Sequence, residues 1–240
     1  MYLSRAWMQC GLAAGLLSWA LGSAAAESAA PLRVPDTIAQ RALACTGCHG
    51  PQGRSSPQGY VPRIAGKPEG YLYQQLLAFR DGRRPHEAMA RLLAPLTDDY
   101  LRTLAKHFAS LEVPYLPVAQ RPATSAALAL GRGLVQQGDP ARKLPACVAC
   151  HGAALMGVAP AIPGLLGLPQ DYVVGQLGAW RAGTRLTAQP DCMAHISRQL
   201  QTEEIAAIAA WLTTQAVPTP AKPAAQLPQP MPQRCGSVTP

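Results

Sequence analysis

The sequence predicts a protein built from two copies of a small helical domain, and three observations support this fold class. The pattern Cys-x-x-Cys-His occurs at residues 45–49 and again at 147–151. Similar residues follow each copy in the same order, in segments whose apolar residues have helical spacing. The chain has 240 residues and the two motif starts lie 147 − 45 = 102 residues apart, which leaves room for two domains.

The first copy is expected to occupy residues 36–114. Asp36 and Thr37 are suitable N-cap residues for a helix that leads into the first motif, and Asp98 and Asp99 mark the start of the last helix. Loops rich in glycine and proline separate the segments with helical spacing. These segments are 38–43, 71–79 and 101–111.

The second copy is expected at residues 124–217, after a proline-containing linker at 115–123. Five of its residues repeat residues of the first copy at an offset of 101: Tyr172, Gln176, Leu177, Arg181 and Gly183 correspond to Tyr71, Gln75, Leu76, Arg80 and Gly82. The segment at 160–164 is matched to 62–66 at an offset of 98. Beyond the repeat, residues 218–240 form a proline-rich tail without apolar periodicity.

The repeated motif has the spacing for covalent haem attachment. Two thiols one helical turn apart can each bond to a vinyl group of one porphyrin, and the adjacent histidine then faces the iron. A CxxC pair alone is also compatible with a four-thiolate metal site or a redox dithiol. The histidine, found twice, favours two covalently bound haem c groups. The residues predicted to hold them are Cys45, Cys48, His49, Cys147, Cys150 and His151.

The second ligand of each iron is predicted to be a methionine. Met89 lies 89 − 49 = 40 residues after the first motif histidine, and Met193 lies 193 − 151 = 42 residues after the second. Both are expected in a loop before an amphipathic helix, and a thioether ligand raises the potential of the iron. Histidine ligation by His86 or His195 is the alternative. Met156 has no counterpart in the first copy and is interpreted as a packing residue, and Met231, in the tail, is not predicted to be a ligand.

The N-terminal residues 1–26 have the features of an export signal, with Arg5 before an apolar stretch and small residues at 24–26. A retained membrane anchor is the alternative. No later stretch is apolar enough to span a bilayer. Removal of Arg5 leaves 20 basic and 13 acidic residues, a net charge of +7, and the four carboxylates of two haems reduce it further. A mildly positive exported protein favours acidic protein partners over nucleic acid.

Two cysteines, Cys192 and Cys235, remain outside the motifs in the predicted mature chain. An even number of cysteines in an oxidising compartment predicts a disulfide, which would tie the tail to the segment around Met193. Two unrelated free thiols are the alternative.

Taken together, the duplicated CxxCHG, the Pro-x-Ile-x-Gly segment, the Tyr-x-x-x-Gln-Leu helix, the Arg-x-Gly turn and the methionine before the last helix resemble the dihaem cytochromes c of the cytochrome c4 type. The resemblance implies an all-α protein of two class I cytochrome c domains, each wrapped around one covalently attached haem. It also implies that Pro62 and Pro160 shape the histidine side of the two haems. By the same resemblance the protein is periplasmic and transfers electrons from a quinol-oxidising complex to a terminal oxidase.

The leading functional hypothesis is therefore an electron carrier without enzymatic activity. A dihaem enzyme, such as a peroxidase or a thiosulfate dehydrogenase, needs an open iron position or an unusual ligand, and Cys192 is the residue that could supply a thiolate. A third hypothesis is an electron-accepting cytochrome subunit of a larger dehydrogenase, with the proline-rich tail as its docking element.

Overall fold

A computed structural model describes residues 34–55 and 60–238 of the chain. The predicted export signal at 1–26 lies outside the described residues. From Pro35 onward the described residues belong to one compact unit. We refer to its parts before and after residue 115 as the first and second halves, and the domain boundaries at 114 and 124 stay a prediction.

The first half contains five helices: α1 (Ile38–Arg41), α2 (Leu43–His49), α3 (Glu69–Arg80), α4 (Glu87–Leu93) and α5 (Asp98–Ser110). Thr37 caps α1, because its hydroxyl accepts a hydrogen bond from the backbone N–H of Gln40 at 3.2 Å. The residue that caps α5 is Thr97, whose side chain accepts from the N–H of Tyr100. The acidic residues expected at this end lie in the first turn of α5, where they interact favourably with the helix dipole.

The second half contains five more helices: α6 (Ser125–Gln136), α7 (Val148–His151), α8 (Gln170–Arg181), α9 (Cys192–Gln199) and α10 (Thr202–Thr214). A short antiparallel ribbon, β1 (Gly157–Val158) with β2 (Ile162–Pro163), is the one two-stranded sheet among the described residues. Single 3₁₀ turns occur at Pro51–Gly53, Pro140–Arg142 and Gly236–Val238. The predicted all-α class is confirmed, with this ribbon as a minor addition.

Each half has its own apolar core. In the first half, Leu72 of α3 packs with Leu104 and Phe108 of α5. The core of the second half is larger and forms where α6 crosses α10, with Val135 and Ile208 among its buried residues. Both cores are open on one side, where their side chains line a shared cavity instead of meeting other core residues.

The two halves are joined by backbone and side-chain hydrogen bonds. The N–H of Gly70, in the first turn of α3, donates to the carbonyl of Pro160 at 3.0 Å, and the N–H of Leu186 donates to the carbonyl of Arg83 at 2.8 Å. These contacts place the start of α3 beside the connection between β1 and β2, and the segment that follows α3 beside the segment that follows α8. None of the described helices is both long enough and apolar enough to cross a membrane.

Candidate functional site

A cavity of about 550 Å³ extends through the middle of the molecule, and both CxxCH motifs line it. Its walls are mostly apolar side chains from α3, α5, α8 and α10. All eight residues predicted from the sequence as haem-binding residues lie on its walls: Cys45, Cys48, His49, Met89, Cys147, Cys150, His151 and Met193. The structure therefore brings the predicted site residues of both halves to one continuous space.

The motif cysteines lie on α2 and at the start of α7, and none of the four is part of a disulfide. Burial raises the pKa of the thiols of Cys45 and Cys150, and it raises the pKa of the Cys147 thiol to about 12. A thiol with a raised pKa stays protonated, and the protonated form is a poor metal ligand. Within the described ranges, no group of three or more His, Cys, Asp or Glu side chains forms a metal site, so the two motifs do not make a shared four-thiolate centre.

The two motif histidines are buried and held in the same way. The Nδ1 atom of His49 lies 2.8 Å from the carbonyl oxygen of Pro62, and the Nδ1 of His151 lies 2.8 Å from the carbonyl oxygen of Pro163. A carbonyl can only accept, so each Nδ1 carries the proton and each Nε2 keeps its lone pair for a metal. Burial lowers the pKa of both imidazoles, which also favours the neutral, ligating form.

The position of Pro163 corrects the expected role of Pro160. The sequence match at an offset of 98 paired Pro160 with Pro62, but the hydrogen bond to the histidine gives an offset of 163 − 62 = 101. Gly66 and Gly167, both with φ near +70°, have the same offset. The mismatch arose because a Pro-x-Ile pattern lies three residues early in the second half, in the connection between β1 and β2.

Met89 and Met193 are half-buried on the cavity wall, but they lie in the first turns of α4 and α9 and not in loops as expected. His86 is the N-cap of α4, and its Nδ1 accepts from the backbone N–H of Met89 at 3.3 Å. Asp191 caps α9 through the N–H of Ala194. Caps of this kind fix the start of each helix, and so fix where its methionine lies. Ligation of iron by Met89 and Met193 stays a prediction.

The other histidines and methionines near the two sites differ from Met89 and Met193 in their exposure or their hydrogen-bond partners. His86 is exposed and acts as the helix cap, while His195 is exposed with its Nε2 3.1 Å from the Nε2 of Gln199. Met156 is 4% exposed and packs in the core of the second half, in agreement with its interpretation as a packing residue. Met231 lies in the tail and does line the cavity.

Two buried arginines, which the sequence analysis did not identify, lie between the halves. Arg84 donates to the Tyr172 hydroxyl at 2.8 Å and to the side-chain oxygen of Gln176 at 2.6 Å. Arg185 donates to the side-chain oxygens of Gln75, at 2.8 Å, and of Gln176. Arg84 and Arg185 are 8% and 3% exposed. They are also related by the offset of 101, which is the signal that would have found them.

These arginines face the cavity without a carboxylate partner. The salt bridges of the described residues include neither Arg84 nor Arg185. Buried arginines are almost always paired with an anion. In the described part of the chain, the Nε of Arg185 and the Nε1 of Trp180 are also buried donors with no acceptor, and both side chains line the cavity. Unused donors beside an apolar cavity fit porphyrin rings whose carboxylates accept from them.

A third buried basic side chain, Lys67 of the first half, forms a hydrogen bond with the backbone of the second half. The Nζ of Lys67, which is 4% exposed, donates to the carbonyl of Gly164 at 2.9 Å, directly after the proline that holds His151. Burial lowers the pKa of Lys67 to about 7. This lysine also lines the cavity, so the first half contributes a polar group to the site of the second half.

The predicted disulfide between Cys192 and Cys235 is confirmed, with the two Cα atoms 5.1 Å apart. It joins the first residue of α9 to the proline-rich tail. The tail is consequently held beside Met193.

A mainly helical unit with two such histidine sites, two pairs of thiols and buried cations on the wall of an apolar cavity defines a dihaem c-type cytochrome, an electron-transfer protein with two covalently bound haem c groups. The family model described as "Cytochrome c" matches residues 37–103. A relative named "Thiosulfate dehydrogenase electron acceptor", from Stutzerimonas stutzeri (strain A1501), is 35% identical over 203 residues, which cover 85% of this chain and 92% of the relative.

Two further comparisons concern cytochromes c4. The "Cytochrome c4" of Pseudomonas aeruginosa is 34% identical over 174 residues, which cover 72% of this chain and 84% of the relative. The crystal structure of reduced recombinant cytochrome c4 from Pseudomonas stutzeri matches with a TM-score of 0.61 at 27% identity, over 73% of this chain and 95% of that chain. The chain belongs to the cytochrome c4 family.

Proposed function

We propose that the protein is a periplasmic electron carrier without catalytic activity of its own, and that a thiosulfate-oxidising dehydrogenase is its electron donor. The similarity to the thiosulfate dehydrogenase electron acceptor of S. stutzeri, over 92% of that protein, carries the choice of donor. Export rests on the predicted signal at residues 1–26 and on the Cys192–Cys235 disulfide, because such bonds persist in oxidising compartments.

The role of carrier rests on the predicted ligands. A histidine and a methionine at each iron leave no open position for a substrate. An enzyme would need an open iron position or an unusual ligand, and the candidate for that ligand, the thiolate of Cys192, has its sulfur bonded to Cys235. While this disulfide is intact, Cys192 does not supply a thiolate ligand to iron.

The side chains of the site have separate tasks in this proposal. Bound haem supplies the one-electron change between ferric and ferrous iron. The carbonyls of Pro62 and Pro163 orient the imidazoles, and Met89 and Met193 offer soft sulfur ligands that favour the reduced state. The apolar walls exclude water, and the buried arginines Arg84 and Arg185 neutralise haem carboxylates between the two halves.

Ligation by methionine is tested with single leucine variants of the oxidised holoprotein. We expect Met89→Leu and Met193→Leu each to remove about half of the methionine-to-iron charge-transfer band, since each removes one of two thioethers. Met156→Leu is the matched control, because Met156 is buried in the core and is not a predicted ligand. Unchanged bands in both ligand variants would contradict the assignment.

The donor is tested by rapid mixing of the oxidised holoprotein with a catalytic amount of thiosulfate dehydrogenase and thiosulfate. We expect reduction of both haems at a rate that depends on the dehydrogenase. The protein with thiosulfate alone should stay oxidised, and turnover with thiosulfate and ferricyanide in the absence of dehydrogenase would establish an enzyme instead.

The donor predicted from the family resemblance, a quinol-oxidising complex, serves as the competing arm of the same experiment. Faster reduction by that complex than by the dehydrogenase would overturn the proposed donor and leave the role of carrier intact. A terminal oxidase remains the predicted acceptor. Stable co-purification with a dehydrogenase would instead support the subunit hypothesis.

A further inference from the structure

The C-terminal strap, which we define as residues 217–238, follows a fixed path over the second half. Val217 and Ala221 pack against the core of this half. The N–H of Ala224 donates to the carbonyl of Gly157 at 2.9 Å, and the N–H of Ala159 donates to the carbonyl of Ala224 at 2.8 Å. The strap therefore lies beside β1 as a parallel bridge before it reaches α9.

The end of the strap is attached to the start of α9 by three bonds. Cys235 is joined to Cys192 by the disulfide, and the side chain of Gln233 donates to the carbonyl of Cys192 at 3.3 Å. The N–H of Gly236 donates to the carbonyl of Pro190 at 2.9 Å. A Cβ atom on Gly236 would lie 2.2 Å from the carbonyl oxygen of Gln189, so the approach is close enough to require glycine.

The strap presents alternate residues to the cavity. Met231, Gln233 and Cys235 line the cavity, while Pro232 and Arg234 between them are exposed. This is the period of two expected of an extended chain that covers a surface. Ser237 and Val238 continue the lining past the disulfide, so the strap forms a wall next to Met193.

The first half has no equivalent wall among its described residues. Around Met89, the side chain of Leu92 lines the cavity and is still 39% exposed, and His86 and Ala88 are exposed as well. The two predicted haem sites, which are alike on their histidine sides, thus differ on their methionine sides.

We propose that the C-terminal strap is a structural wall of the second haem site, which shields the bond between Met193 and iron from external ligands and leaves the first site the more accessible one. The inference rests on the proposed ligation by methionine. Displacement of Met193 by an external ligand requires the start of α9 to move, and the disulfide ties this movement to that of the strap. Met89 has no such restraint in the described structure.

Imidazole is a suitable probe because it displaces a methionine from ferric haem and abolishes the charge-transfer band. In the Met89→His holoprotein the band reports only Met193, and in the Met193→His holoprotein it reports only Met89. We expect loss of the band at saturating imidazole to be at least about tenfold slower in the first protein, a ratio that corresponds to about 1.4 kcal/mol of additional opening free energy.

Strap variants are then made in the Met89→His background. Replacement of Cys192 and Cys235 by serine should raise the rate of displacement at least about fivefold, because opening no longer moves the whole wall. Met231→Ala keeps the disulfide and removes part of the wall, so it should also raise the rate of displacement. This second variant tests the inference even if the serine protein does not fold. Lys222→Ala is the control on the same strap, since its salt bridge with Glu112 is exposed and neither residue lines the cavity.

The outcomes separate this inference from the proposed function. If the Met89→His protein lacks the band before imidazole is added, Met193 is not a ligand and both proposals fail. If the band is present but imidazole displaces both methionines at similar rates, or if the serine and Met231→Ala variants match the Lys222→Ala control, only the role of the strap is refuted.

Discussion

Gly131 lies where α6 crosses α10, and the structure predicts that this position tolerates no larger residue. A Cβ atom built on Gly131 would lie 2.1 Å from the carbonyl oxygen of Ala207, 2.6 Å from its carbonyl carbon and 2.9 Å from the Cβ of Trp211. Two of these three atoms belong to the backbone of α10, which cannot rotate away. The substitution Gly131→Ala should therefore push the two helices apart at the centre of the larger core.

The same helix supplies a matched control. A Cβ atom on Gly133 would meet nothing within 4 Å, so Gly133→Ala adds a methyl group without a clash. Alanine is about 1 kcal/mol better than glycine within a helix, so this variant should be more stable than the wild type. Overpacking at Gly131 should cost about 1–3 kcal/mol even though the helix propensity improves.

Thermal unfolding of the oxidised holoprotein, followed by circular dichroism, measures both effects. A change of 1 kcal/mol shifts Tm by about 2–4 °C in a protein of this size, so Gly131→Ala should lower Tm by about 2–12 °C and Gly133→Ala should raise it by about 2–4 °C. Equal Tm values for the two variants would refute the close approach of α6 and α10. The haem spectra of both variants should match the wild type, because neither glycine lines the cavity.

Two further predictions concern charged residues. Hydrogen bonds from Arg142 to Asp139 and Glu204 hold the pKa of both carboxyls below their usual values of 3.8 and 4.5, so this stabilisation is complete above about pH 4.5 and is lost as the pH falls through the lowered pKa values. Arg142→Met should lower Tm at pH 7 and show a smaller further loss in acid, and an acid loss equal to that of the wild type would contradict this. Below its lowered pKa of about 7, Lys67 brings a positive charge to the carbonyl of Gly164 beside the second site, and a positive charge there favours the reduced iron. In a redox titration at a pH below 7, Lys67→Met should lower the potential of the second haem more than that of the first, and equal shifts would contradict a local effect.

Local sequence patterns predicted the parts of the protein that depend on neighbouring residues. The CxxCH spacing identified the thiols and histidines because two cysteines one helical turn apart face the same way. Helical periodicity and capping residues such as Thr37 identified most helices, since both signals act within one or two turns. The Cys192–Cys235 disulfide followed from the number of cysteines left after the motifs were assigned.

Patterns were less reliable where similar residues occur close together. A proline and an isoleucine at 160 and 162 imitated the segment at 62–64, but Pro163 is the residue whose carbonyl holds His151. A sequence match compares residue types only. The hydrogen bond to His151 depends instead on the position of the backbone after the turn between β1 and β2. Likewise, the methionines were expected in loops because helices of seven or eight residues give a weak periodic signal.

The sequence by itself determined that this is a duplicated, helical protein with two sites for covalent haem, and it selected a histidine and a methionine for each. Only the tertiary structure decided how the copies cooperate: Arg84 and Arg185 meet partners from the opposite half, Lys67 reaches across to Gly164, and the strap covers one site but not the other. These contacts join residues about 40 to 110 positions apart in the chain. Their geometry depends on how whole helices pack, and no local pattern of residues encodes that packing.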